Sequence, residues 1–174
     1  GSQVFLLHKH DHILDREDRD AAEILQRTFL EEGIRLILNS EPVAVESRGG
    51  KKVIEVFAND QLEKIEVDEI LVGVGRSPNI EGLNLEAAGI EYVKTGIVVN
   101  DRLQTTNPDV YAAGDVCMSY KFTHAADAAA RIVVQNALFL GRKKLSTLTI
   151  PWCTYTDPEI AHVGLSENEA KNKG

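Results

Sequence analysis

The sequence predicts an α/β fold on three observations. The apolar run Gln3 to Leu7 leads through charged residues into a helix-period stretch and a second apolar run, Ile34 to Leu38. That is the strand, helix, strand order of half a doubly wound sheet. From Pro42 to Val67 the apolar period changes to two, which implies antiparallel strands. Further on, Val110 to Ala113 predicts a buried strand that stops at Gly114 and presents Asp115 at its carboxyl end, the place where open α/β sheets bind their ligands.

The elements follow in order. Asp18 or Asp20 predicts the cap of the first helix, with Asp20 and Glu23 in capping-box spacing and Ala22, Leu25 and Phe29 on one face. Gly33 closes that helix as the residue that takes a left-handed conformation. The period-two region divides into Val43 to Val45, Val53 to Phe57 and Leu62 to Val67, split by Gly49-Gly50 and Asn59-Asp60, so three antiparallel strands with tight turns are expected. Ile70 to Gly75 reads as a buried strand that runs into a loop broken by Pro78. It holds Gly73-Val-Gly75, but the third glycine is absent and no helix follows, so it is not a dinucleotide phosphate loop. Thr123 is placed to cap a helix from about Ala125 to Leu140, ended by Gly141. Pro151 to Gly164 predicts a strand, a proline turn and another strand, and Ser166 with Glu169 opens a final capped helix.

Bulk composition bounds the function. A 174-residue chain that is 43% hydrophobic can bury a core. A net charge of -8 and a pI of about 5.1 argue against nucleic acid or an anionic membrane as partner. No apolar run approaches the ~20 residues that span a bilayer, and no signal-peptide pattern opens the chain, so the expected address is cytoplasmic. Cys117 and Cys153 suit neither a disulfide framework nor a zinc site and read as plain thiols. His8, His10 and His12 alternate, but they fall where a strand passes into a loop, so no metal site is assigned to them.

Four separated segments resemble, in the same order, the pyridine nucleotide-disulfide oxidoreductases, the family of dihydrolipoamide dehydrogenase, glutathione reductase and mercuric reductase. Leu6 to Asp18 resembles the end of the second NAD-domain strand. Val72-Gly-Val-Gly-Arg-Ser-Pro-Asn79 resembles the return from NAD to FAD domain. Ala113-Gly-Asp115 resembles the second FAD motif, and Tyr155 to Gly164 the opening of the interface domain. The resemblance implies an incomplete NAD(P)-binding Rossmann-like domain with an antiparallel meander over residues 3–74. It implies the C-terminal part of an FAD-binding domain over 75–146 and the start of an α+β interface, or dimerisation, domain over 147–174.

The resemblance also implies roles. Asp115, following Gly114, would take a hydrogen bond from a ribityl hydroxyl of FAD. Taken alone, an Ala-Gly-Asp is better read as a strand-end Asp that caps a turn. Thr123, His124 and Ala125 would open a helix whose free N–H groups face the flavin pyrimidine edge; the alternative is a core helix that Thr123 simply caps. Gly75 and Arg76 fall where the chain crosses between the cofactors, and Arg76 has the equal alternative of pairing with a nearby carboxylate. His8 and Lys9 stand where the family discriminates NAD from NADP, and the missing carboxylate points toward NADP or relaxed choice; a solvated basic loop is the other reading. Val43 falls where the backbone would touch adenine, and equally suits a strand core.

The family's redox-active cysteine pair, its first FAD motif and its pyrophosphate loop have no counterpart in these residues, nor do its catalytic His and Glu. An internal fragment is therefore expected, with no catalytic residue of its own, colourless and inactive in isolation. The implied parent is an FAD- and NAD(P)-dependent enzyme acting on a small-molecule redox substrate. The competing reading is a non-catalytic nucleotide-binding or assembly module that uses part of the fold. Self-association into a homo-oligomer is expected, because the incomplete parallel sheet exposes an edge.

Overall fold

In the computed structural model, which describes all residues Gly1–Gly174, the first two apolar runs pair in parallel. β1 (Phe5–Leu7) and β2 (Arg35–Ile37) register Phe5 on Arg35 and Leu7 on Ile37. The crossover between them carries α1 (Arg19–Glu31), since parallel neighbours need a connection of about a dozen residues or more. α1 buries Ala22 and Leu25, while Phe29 is half-buried. The expected Asp20–Glu23 capping box is not made. Asp18 occupies the N-cap without a side-chain bond to its own helix, and Glu23 is drawn to Arg19 at 2.8 Å one turn away.

Residues Gly1–Gly73 and Cys153–Gly174 form one unit, and Val74–Trp152 form another. In the first, β3 (Ser40–Arg48), β4 (Lys51–Ala58) and β5 (Gln61–Val67) make an antiparallel sheet in the order β3-β4-β5. Asn59 and Asp60 turn the second hairpin with φ of 50° and 61°, the paired left-handed geometry whose twist matches the flanking strands. Ile37, Ile54, Val56, Ala58 and Ile65 form the core, with Phe5, Leu7, Val67 and Ile70 packed against it.

The buried strand expected over Ile70 to Gly75 is absent. No strand forms there, and Leu71 and Val74 are 98% and 91% exposed. An apolar run becomes a strand only against a hydrogen-bonding neighbour, and no other strand of the chain pairs with it. In the second unit, β6 (Tyr92–Val93) and β7 (Gly96–Ile97) form a short antiparallel pair. Val110 to Ala113 makes a single bridge, Gln104 to Tyr111, in place of the expected strand. Two flanking bonds, Thr105 N–H to the Val110 carbonyl and Ala112 N–H to the Leu103 carbonyl, tie it to one side only.

α2 runs Thr123–Leu138, and here too the sequence expectation shifts. Thr123 is the first helical residue, not the cap. Phe122 is the N-cap, in an extended conformation and without a side-chain bond, and its carbonyl receives the first helical bond from Ala126 N–H at 3.0 Å. The helix ends two residues before Leu140, which takes the left-handed turn with φ of 50°. Gly141 then donates back to the Gln135 carbonyl at 3.0 Å, so close that a Cβ there would lie 2.7 Å from that oxygen. Buried Asn136 fastens the end of the helix, with its amide donating to the Arg102 and Lys143 carbonyls and its carbonyl accepting from Lys143 N–H.

Returning to the first unit, β8 (Trp152–Thr154) pairs with β9 (Ile160–His162), and α3 (Glu167–Lys173) follows. The Ser166–Glu169 capping box is present with both of its bonds. Asp18 serves this helix too, its carboxylate accepting from Glu167 N–H at 2.9 Å. Glu17 and His162 approach to 3.5 Å with side chains 6% and 10% exposed.

Candidate functional site

The second unit gathers most of the residues singled out from sequence. Ala113 is extended, and Gly114 at φ of +80° swings the chain into the 3-10 turn Gly114–Val116. The Gly114 carbonyl accepts from both Cys117 and Met118 N–H. A side chain at Gly114 would put its Cβ 3.1 Å from that of Ala126 on α2. The glycine therefore serves the close approach of turn and helix.

The consequence is positional. Packing Gly114 onto the first turn of α2 sets Asp115 beside a helix N-terminus, where Thr123, His124 and Ala125 carry N–H groups with no partner in the helix. Asp115 is 46% exposed on its side chain and lies 3.6 Å from an Arg76 guanidinium nitrogen. Both alternatives for Arg76 thus meet in one place, because the nearby carboxylate is the motif aspartate itself. The same nitrogen donates to the Lys121 carbonyl at 3.1 Å, and the Lys121 ammonium donates to the Arg76 carbonyl at 2.9 Å. Gly75, next to Arg76, takes φ of +110° with open space where a side chain would stand.

An aromatic wall adjoins this turn. The Phe122 ring stacks with His124 and with Trp152, each at an interplanar angle of 11°, and Tyr120 approaches Trp152 at 5.7 Å. His124 Nε2 lies 2.7 Å from the Pro151 carbonyl; a carbonyl only accepts, so that nitrogen carries the proton. Cys117, by contrast, packs into the core of this unit, and burial pushes its thiol up to about 11. It is a poor nucleophile near neutrality.

His8, Lys9 and Val43 belong to the first unit. His8 follows β1 directly, its N–H donating to the Ile37 carbonyl. His8 and His10 turn their Nε2 atoms toward one carboxylate, Asp15, at 3.8 and 3.3 Å, while His12 faces the Ile13 carbonyl. The three imidazoles do not share a face, and no set of three His, Cys, Asp or Glu side chains is arranged to hold a metal ion. Lys9 is exposed, and Val43 is 56% exposed on β3, not in the core. Sequence reasoning missed Asp15 and Lys121. Nothing local marks either one: Lys121 meets Arg76 across 45 positions.

A helix N-terminus, a half-exposed carboxylate and a neighbouring cation thus stand together on a mixed α/β scaffold. The chain belongs to the pyridine nucleotide-disulphide oxidoreductase family, whose description matches residues 1–130, and the dimerisation domain of that family matches residues 150–174. Family members are FAD- and NAD(P)-dependent. Among relatives, a mercuric reductase of Staphylococcus aureus is 38% identical over 100% of this chain and 32% of its own length. A dihydrolipoyl dehydrogenase of Thermus scotoductus is 37% identical over 100% of this chain and 38% of its own. The HOCl-induced flavoprotein disulfide reductase RclA from Escherichia coli superimposes with a TM-score of 0.86 at 28% identity, covering 100% of this chain and 40% of that one. LpdA from Mycobacterium tuberculosis does so with 0.88 at 30%, covering 99% and 37%. The chain thus spans about a third of the length of the curated relatives first matched. No helix is long and apolar enough to cross a membrane.

Proposed function

We propose that these residues supply the second-half cofactor contacts of an FAD- and NAD(P)-dependent disulfide oxidoreductase of the mercuric reductase or dihydrolipoamide dehydrogenase kind. Residues 3–74 would be the C-terminal part of the NAD(P)-binding domain, an incomplete Rossmann-like fold with its antiparallel meander. Residues 75–146 would be the C-terminal part of the FAD-binding domain, and 147–174 the beginning of the interface domain, which supports assembly as a homo-oligomer. The observation that carries the reading is Asp115. Its carboxylate accepts no hydrogen bond from the chain, has Arg76 at 3.6 Å, and follows a turn packed on the first turn of α2.

The residues fit the cofactor. Asp115 would accept from a ribityl hydroxyl, with Gly114 fixing the turn and Arg76 holding positive charge beside it. Thr123, His124 and Ala125 would direct N–H groups and the positive end of α2 toward the flavin pyrimidine edge, where charge accumulates on reduction. His8 and Lys9 would lie by the adenosine ribose or its phosphate, and Gly75 and Val43 would offer close backbone approach. When bound, the flavin supplies the hydride acceptor between NAD(P)H and a cysteine pair. Neither Cys117 nor Cys153 forms that pair, so these 174 residues alone are expected to show no turnover and to hold no flavin. A cytoplasmic address fits their two free thiols.

Two observations test the reading. The coding sequence ahead of Gln3 is expected to encode two cysteines separated by four residues; a stop codon or an unrelated domain there would refute it. In the protein translated from that whole frame, Asp115→Ala should lower flavin occupancy, read from visible absorbance per chain. Unchanged occupancy would remove Asp115 from the site.

A further inference from the structure

We infer that Lys121 is a positioning residue that keeps Arg76 from closing onto Asp115. Arg76 lies on a segment without regular structure, between Val67 and the short helix at Glu86, and its side chain is 69% exposed. A long side chain so placed would sample many rotamers, and the tightest contact open to it is a bidentate pair with the neighbouring carboxylate. That pair does not form. The Arg76 nitrogen nearest Asp115 stays 3.6 Å from it, outside hydrogen-bond range. The same nitrogen donates to the Lys121 carbonyl at 3.1 Å.

Lys121 holds Arg76 at both ends. Its ammonium donates to the Arg76 main-chain carbonyl at 2.9 Å, so one residue fixes both the backbone from which the guanidinium springs and the direction in which it points. The outcome for Asp115 is specific. It keeps a cation 3.6 Å away, yet both its oxygens remain open as acceptors. Released from Lys121, Arg76 would swing onto Asp115 and occupy those acceptors. The arrangement of one carboxylate acceptor and two cationic side chains suits a ligand that presents a hydroxyl and an anionic group together, as a polyol phosphate does. This last step rests on the flavin reading above; the clamp itself does not.

The clamp is tested on the 174-residue chain without any cofactor. An arginine-specific protease cleaves at the Arg76 carbonyl, the group that Lys121 holds. Loss of one exposed hydrogen bond corresponds to roughly a threefold to tenfold rise in the cleavage rate at Arg76–Ser77 for Lys121→Met, with Lys121→Arg restoring the slow rate. An unchanged rate in Lys121→Met, with the Trp152 emission spectrum as in the wild type, would overturn the proposal. Should Lys121→Met not fold, slowed hydrogen exchange of the Arg76 guanidinium in the wild-type chain carries the test, and exchange as fast as in free arginine would overturn it. In the whole flavin-bearing protein, Lys121→Met should lower flavin occupancy less than Asp115→Ala does, and Lys121→Arg should recover it. Occupancy that falls with Asp115→Ala but stays unmoved by Lys121→Met would overturn the positioning role and leave the flavin reading intact. Occupancy unmoved by Asp115→Ala would sink the flavin reading, while the protease result still decides the clamp.

Discussion

Replacing Gly114 with alanine attacks the turn and its helix together, and the two costs can be separated. An L-residue at φ of +80° pays roughly 1–2 kcal/mol for its left-handed backbone. The new Cβ would also meet the Ala126 Cβ at 3.1 Å, tighter than ordinary contact, and overpacking of this kind costs about 1–3 kcal/mol. The sum is about 2–5 kcal/mol, a large share of the stability of a small domain. The assay is urea unfolding followed by the fluorescence of Trp152, the single tryptophan, at the end of the same unit. With a slope of about 1.5 kcal/mol/M, the midpoint should fall by roughly 1.3–3.3 M. Ala126→Gly opens the space at its own cost of about 1 kcal/mol in helix propensity. In the double variant the packing share should be recovered, giving a coupling of about 1–3 kcal/mol. A midpoint shift under ~0.5 M for Gly114→Ala, or strict additivity in the cycle, would refute the claim that this glycine exists for the helix.

Three further expectations follow from the same geometry. Glu17→Gln replaces the carboxylate that His162 faces at 3.5 Å, in a site where both side chains are nearly covered; a loss of about 1–3 kcal/mol, measured by thermal unfolding, is expected, and a loss under ~0.5 kcal/mol would contradict the pairing. At pH 8, iodoacetamide should label Cys153 far faster than Cys117, because a thiol pushed from 9.0 to about 11 holds roughly a hundredth of the ordinary thiolate; comparable rates by peptide mass spectrometry would contradict its burial. Asp101 is held below its ordinary value of 3.8, first by the Ser146 N–H and then by the Ser146 hydroxyl. Because the folded state binds that proton less readily, the contribution is complete above the ordinary value and fades as pH falls through the lowered one. Asp101→Asn should therefore be less stable than wild type at pH 7, with the difference shrinking in acid; a difference independent of pH would exclude the charge as its source.

What was legible in the sequence was local. The Asn59-Asp60 turn, the left-handed Gly33 and the Ser166–Glu169 box each depend on residues within a few positions of one another. The strands expected at Ile70 to Gly75 and Val110 to Ala113 failed for the opposite reason. Hydrophobicity marks a segment as able to pair, but a ladder needs a partner, and the chain offers none to the first and a single bridge to the second. At the candidate site, Asp115 could be read from its motif, and Arg76 could be read as either a cofactor contact or an ion-pair partner. That the two face each other, with Lys121 between, is a product of folding across 45 positions. Thr123 was displaced from cap to first turn because Phe122 took the extended conformation, its ring stacked between aromatic neighbours, and an aromatic packing preference outside the helix overrode the capping propensity of a hydroxyl.

One feature of the layout bears on how the polypeptide is made. The unit that contains β1 to β5 is completed by β8, β9 and α3, with Val74–Trp152 inserted between the two stretches. During translation all of Val74–Trp152 has been synthesised before β8, β9 and α3 emerge. The bond from Glu167 N–H to Asp18 and the approach of His162 to Glu17 form only once those later residues emerge. Domains generally fold as units, so among these residues the contacts within Val74–Trp152 can form before β1 to β5 meet β8, β9 and α3.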